Sequence, residues 1–258
     1  MATSSTTAEN SVVYVGNHMP FSSFAKLLEQ MSKIESSEGR RAMPKNEEKK
    51  LLLLNYINDW RTVAAKLKSD PSNRNKRIDA NFFPVMRLLL PGSDRRMYNM
   101  KETTLASNLI DALCIAETSD DAQKLKYFRA PTSAKAESDF ANTAYFVLQK
   151  RCIDSTLTIH EVNHYLDSIA LSKAKGKEAK SELNTSLKHL LVNLSALQLK
   201  WLIRIILKDL HIGAKEQLIL GAFHEDAVDL FNCTSSLEKV CESLADPTKR
   251  LHEVAVCL

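Results

Sequence analysis

Glycine and proline are scarce, 6 and 7 in 258 residues. So few chain-reversing residues allow few tight turns and point to long elements, against a many-stranded sandwich or barrel. The 5 cysteines, Cys114, Cys152, Cys233, Cys241 and Cys257, are odd in number and form no C-x-x-C pair. The opening MATSSTTAENSVV also lacks a basic segment followed by an apolar run. The thiols are therefore expected to be reduced, core or incidental residues of an intracellular protein. Apolar runs are short, Leu51 to Leu54 being among the longest, so no membrane span or membrane partner is expected. Charge of one sign is not in large excess either: 35 basic against 31 acidic residues give a net +4, which permits phosphate binding without demanding it.

What is present is helical periodicity. Hydrophobic residues make up 44% and charged residues 26%, an ordinary globular balance. Residues 1–17 are rich in Ser, Thr and Ala and are expected as a disordered tail. Order is expected to begin at Met19-Pro20-Phe21, with Ser22 or Ser23 capping a helix that carries Phe24, Leu27, Leu28 and Met31. A polar, basic loop from Ser32 leads into a helix over Glu47 to Leu67, where Leu53, Leu54, Ile57, Trp60, Ala64 and Leu67 form one stripe. Val85 to Leu90 is a short apolar stretch stopped by Pro91-Gly92, and helical patterns resume over Glu102 to Cys114 and Phe140 to Leu148. Three capping boxes mark later helix starts: Thr158 with Glu161, Ser195 with Gln198, and Ser235 with Glu238. The second opens a run from Ala196 to Leu210, with Gly213 as the residue past its end. Lys173 to Lys180 reads as a basic loop or a solvated helix start. No stretch alternates over strand length, so the fold expected is all-α, a single multi-helix domain over residues 18–250.

The segment Lys200 to Gly213, KWLIRIILKDLHIG, resembles the K-W-L-I-R-x-I-x-K-D-L-x-x-G signature of the DNA-binding domain of ATP-dependent DNA ligases of the ligase IV type. Met86 to Pro91, Tyr98 to Ala106, Phe140 to Leu148, Thr158 to Ala170, Phe223 to Ala227 and Leu237 to Cys241 continue the resemblance in collinear order. It implies a helical DNA-binding domain whose parent seals double-strand breaks in non-homologous end joining in the nucleus, using ATP and Mg²⁺ through a lysyl-adenylate. The adenylated lysine of such ligases sits in K-x-D-G. Gly16, Gly39, Gly92, Gly176, Gly213 and Gly221 follow Val, Glu, Pro, Lys, Ile and Leu, so that motif is not in this sequence. No catalytic residue and no cofactor are therefore expected here. Residues 251–258 are expected to begin the linker to a nucleotidyltransferase domain. Gly176-Lys177 lacks the rest of a phosphate-binding loop, and no G-x-S-x-G is present.

His160-Glu161-Val162-Asn163-His164 is a literal H-E-x-x-H, which on a helix places two imidazoles on one face for zinc. Thr158 gives Glu161 a capping role instead, and Asp167 and Ala170 stand where the longer zinc motif needs Gly and His. No metal site is expected.

Sequence-independent DNA binding needs cations and unpaired backbone amides facing phosphates. The junction Leu210 to Gln217 offers Gly213, Ala214 and Lys215, while Arg204 and Lys208 lie four apart on the preceding helix. Lys101, Thr103, Lys150, Arg151, Thr132 and Lys135 are further candidates near helix ends or on a small-residue loop. The basic runs, Lys49-Lys50 among them, read as solvated surface. The resemblance also implies a hydrophobic peptide from an Artemis-type nuclease docking on Pro20, Phe21, Phe24, Tyr56, Ile57, Trp60 and Val63, although apolar stripes equally suit core packing. Trp60 and Trp201 are expected in the core. The chain is expected to be monomeric. The competing reading is a helical protein-interaction scaffold with incidental basic charge.

Overall fold

The computed structural model describes residues 11–128, 139–150, 155–175 and 180–251. Twelve α-helices and one two-stranded sheet occur among them: β1 (Val12–Tyr14), α1 (Phe21–Ser36), α2 (Lys45–Ser69), β2 (Arg77–Asp79), α3 (Phe83–Leu89), α4 (Glu102–Ala112), α5 (Asp120–Lys126), α6 (Phe140–Leu148), α7 (Ile159–Lys175), α8 (Lys180–Asn193), α9 (Ala196–Leu207), α10 (Glu216–Phe223), α11 (Ala227–Thr234) and α12 (Leu237–Ser243). The fold is mostly α, as the scarcity of turn residues predicts.

The centre of the molecule is α9. Its residues from Gln198 to Ile206 are all buried, Lys200 and Arg204 included. A helix apolar on every side belongs in a core, and here α6 and α1 pack against it. Elsewhere α7 lies on α8, α2 on α1 and α10, and α3 on α12. Ser195 starts α9 with a complete capping box, its hydroxyl accepting from the Gln198 amide while the Gln198 side chain accepts from the Ser195 amide. Thr158 and Glu161 make the same reciprocal pair at the start of α7.

Several expectations shift. Val12 to Tyr14 pair in parallel with Arg77 to Asp79, so order reaches into the stretch expected as tail. The N-cap position of α1 is Pro20, and the Ser23 hydroxyl donates to the Pro20 carbonyl without capping an amide. The last helix is capped by Ser236, one residue later than expected, because Ser235 takes a left-handed turn. Helix α9 stops at Leu207, three residues short of the expected end, and Gly213 lies in the following loop. Helix α7 runs on to Lys175, past its expected end near Leu171, and α8 begins at Lys180, the last residue of the segment read as a basic loop or helix start.

Candidate nucleic-acid interface

Two irregular segments, residues 208–215 and 94–101, meet at Lys208 and share one cavity wall. The first begins where α9 ends: Lys208 turns left-handed with φ 62°, and its amide donates back to the last turn. His211 and Gly213 also have positive φ, at 51° and 59°. Such conformations are uncommon for side-chain-bearing residues and impose a tight, fixed path. Leu210 and Ile212 are buried as anchors, while Asp209, His211, Gly213 and Lys215 stand exposed between and beyond them. Among the described residues, the amides of Gly213, Ala214 and Lys215 donate to no protein acceptor. They lead directly into α10, whose N-terminus adds its own partial positive charge.

The second segment alternates strictly. Asp94, Arg96, Tyr98 and Met100 are buried, and Arg95, Met97, Asn99 and Lys101 are exposed. This is the period of an extended chain, here without a sheet partner. The inward row is held by charge. The Arg96 guanidinium pairs with Asp94 and donates to Asn163 at 3.0 Å, and Arg87 bridges Asp94 at 3.3 Å and Asp167 at 3.0 Å. Burial pushes the Tyr98 hydroxyl above its ordinary range. The outward row carries two cations, one amide and a Met97 side chain that is 57% exposed.

Lys208 joins the two segments. Its ammonium donates to the Asp94 carbonyl at 2.9 Å and sits 3.7 Å from the Met97 sulfur. The Ser93 hydroxyl donates to Glu216 at 2.6 Å, tying the base of the second segment to the start of α10. Lys101 and His211 line the same cavity of about 310 Å³, with Asp139 and Arg204 in its wall.

The remaining sequence candidates divide sharply. Arg204 is buried and is no surface contact: its guanidinium pairs with Asp139 at 2.7 Å, donates to the Leu210 carbonyl at 3.1 Å and lies over the Trp201 ring. It braces the 208–215 loop from beneath. Thr103 is exposed in the first turn of α4, and Lys150 is exposed beyond α6. Thr132, Lys135 and Arg151 lie outside the described residues. Arg95, Met97 and Asn99 were missed by sequence reasoning. The sequence carries little signal for them: Tyr98 and Met100 flank Asn99, but Met97 beside Tyr98 breaks the alternation of apolar with polar residues.

The expected peptide surface is largely core. Phe21, Phe24, Tyr56, Ile57 and Trp60 are buried, Val63 is partly buried, and Pro20 is exposed. The Trp60 indole donates to the Ala80 carbonyl at 2.9 Å and its ring meets Phe82 edge-on. Trp201 is fully buried. His160 and His164 line a cleft of about 1000 Å³ beside α2 and α12. His160 stacks on Tyr14 and His164 meets Tyr165 edge-on. Among the described residues no group of three His, Cys, Asp or Glu side chains converges to hold a metal ion. No helix among them is long and apolar enough to cross a membrane.

Comparison with known proteins gives the family of the chain. Residues 20–224 match the family model described as DNA ligase N terminus. The chain is 39% identical over 248 residues to DNA ligase 4 of Homo sapiens, covering 95% of this chain and 26% of that protein. It is 38% identical to DNA ligase 4 of Gallus gallus, with the same coverage, and 36% identical over 238 residues to that of Coprinopsis cinerea, covering 90% of this chain and 21% of the relative. The chain thus spans about a quarter or less of these relatives. By the match over most of its length, it belongs to the family of DNA ligase N-terminal domains, of the ligase IV type.

Proposed function

We propose that this chain holds duplex DNA, nicked or broken, for an ATP-dependent ligase of the ligase IV type acting in non-homologous end joining in the nucleus. The observation that carries the reading is the face built from residues 208–215 and 94–101. Unbonded amides of Gly213, Ala214 and Lys215 share one short loop with the cations of Lys208 and Lys215, and Lys208 ties that loop to the segment that carries Arg95 and Lys101. Phosphate oxygens accept from both kinds of donor, and neither reads base sequence. Met97 gives the face an apolar point of the kind that enters a minor groove, and Asn99 adds a donor and an acceptor for base or sugar edges.

The parent's sealing chemistry requires ATP, Mg²⁺ and a nucleophilic lysine. The side chains present do not fit that chemistry, since no K-x-D-G exists and no carboxylate cluster suited to Mg²⁺ converges among the described residues. No adenylation step is assigned to this chain, whose contribution is binding and orientation as a monomer. A peptide-docking scaffold is the weaker reading, since the apolar residues it would use are mostly buried.

Binding of nicked duplexes of two unrelated sequences, followed by fluorescence anisotropy, tests this. The two should bind alike. Four phosphate-facing cations give a slope of about −3.6 in log affinity against log salt, a loss of about 150-fold between about 50 and 200 mM. Absence of binding at low salt would sink the proposal.

A further inference from the structure

Lys49 belongs to a basic run that reads as solvated surface, yet its side chain is fully buried. A buried ammonium needs partners for charge and hydrogen bonds. Lys49 has two: the Glu35 carboxylate at the end of α1, and the Gly213 carbonyl at 3.0 Å, 164 residues away in sequence. Glu35 is in turn placed by Lys45, whose ammonium donates to the Glu35 carbonyl at 2.6 Å. The hydrogen bond and charge of Lys49 hold the Glu35 carboxyl below its ordinary range.

Gly213 is fitted to this pair in two ways. Its φ of 59° is one that side chains rarely adopt, and a Cβ at this position would overlap the Glu35 carboxylate. The loop backbone therefore rests directly on the ion pair. Across a trans peptide the carbonyl of one residue and the amide of the next point in opposite directions. With no cis peptide present, drawing the Gly213 carbonyl inward onto Lys49 turns the Ala214 amide outward. That amide is among those without a protein acceptor in the described residues.

We propose that Glu35 and Lys49 form a latch that sets the 208–215 loop for DNA, acting through the Gly213 carbonyl to aim the Ala214 and Lys215 amides at a phosphate. Both are positioning residues that touch no DNA, and the inference rests on the reading of this loop as a DNA contact. The latch links the first two helices to the face built by α9 and α10, whose order in sequence gives no hint of the connection.

The test is a double-mutant cycle on nicked-duplex binding by the full chain. Lys215→Ala is measured in the wild-type background and in Lys49→Met and Glu35→Gln backgrounds. Each latch variant alone should weaken binding about tenfold, the scale of a pairwise coupling. In either latch background the further loss from Lys215→Ala should fall below half its wild-type value. Amide exchange should quicken at Leu218 and Ile219, whose amides donate to the Lys215 carbonyl, while the core of α9 stays protected. A merely structural role predicts additive losses, so full additivity overturns the latch. Latch variants that bind as the wild type, while Lys215→Ala weakens binding, also overturn it and leave the loop reading intact. If Lys215→Ala itself binds as the wild type, the loop reading falls and the latch with it. Glu35 is 46% exposed, so Glu35→Gln keeps the test usable should Lys49→Met fail to fold.

Discussion

Arg204 and Lys215 are cations close together in sequence, and they have opposite roles. Arg204 is a buried brace whose loss removes the charge partner of Asp139, leaving that carboxylate with the Asn142 amide, and the side-chain donor to the Leu210 carbonyl. Arg204→Ala should destabilise the fold by about 3 kcal/mol, the lower end for breaking a buried pair because Asp139 is partly exposed, as read by denaturant unfolding. Lys215 is exposed at the N-cap position of α10 and makes no capping bond. Lys215→Ala should leave unfolding unchanged within about 0.5 kcal/mol while reducing the salt slope of DNA binding by about 1. Spacing alone places Arg204 and Lys208 on one face but does not say whether that face sees solvent. The scarcity of charge between Ala196 and Leu207, where Lys200 is the one other charged residue, was the available sign that α9 has no solvated side. Glu35 adds a pH dependence. Its carboxyl is held below the ordinary value, so its stabilisation is complete above that value and lost as pH falls through the lowered one. Glu35→Gln should therefore flatten the acid limb of the stability curve, measured by unfolding between neutral and acid pH.

Elements with caps and stripes were the most legible. The pairs Thr158–Glu161 and Ser195–Gln198 name the starts of α7 and α9 because a side chain and an amide must meet at fixed spacing. Ser195→Ala should cost about 1 kcal/mol in chemical denaturation, since it orphans the Gln198 amide. Helix ends were less legible. α9 stops at Leu207 because Lys208 adopts a left-handed conformation, a choice made by the tertiary bonds of its ammonium and by the buried anchors Leu210 and Ile212. Helix α8 is masked by its polar residues, although Leu187, Leu190, Leu191 and Leu194 form a buried row along and just beyond it. The 94–101 segment alternates in burial but not in hydropathy, since Asp94 and Arg96 lie on its inward row, and Asn99 turns left-handed within it, so strand patterns do not reveal it. Its inward row is stabilised by ion pairs with Arg87 and Asp167 and carries few apolar residues.

At the scale of the whole molecule, the central helix positions the two segments proposed to hold DNA. Arg204 supports the 208–215 loop from below, Lys208 joins it to the 94–101 segment, and Glu35 with Lys49 fixes it from the side of α1 and α2. Family membership was legible from collinear words in the sequence, whereas this convergence of distant segments is a property of the folded chain alone. Amide-resolved hydrogen exchange of the chain with and without nicked duplex DNA tests directly whether these segments meet the duplex. If the two segments hold DNA, exchange slows at residues 213–215 and 95–101, with little change across the outer surfaces of α2 and α8. Protection confined to those other surfaces, with both segments unaffected, would contradict that role.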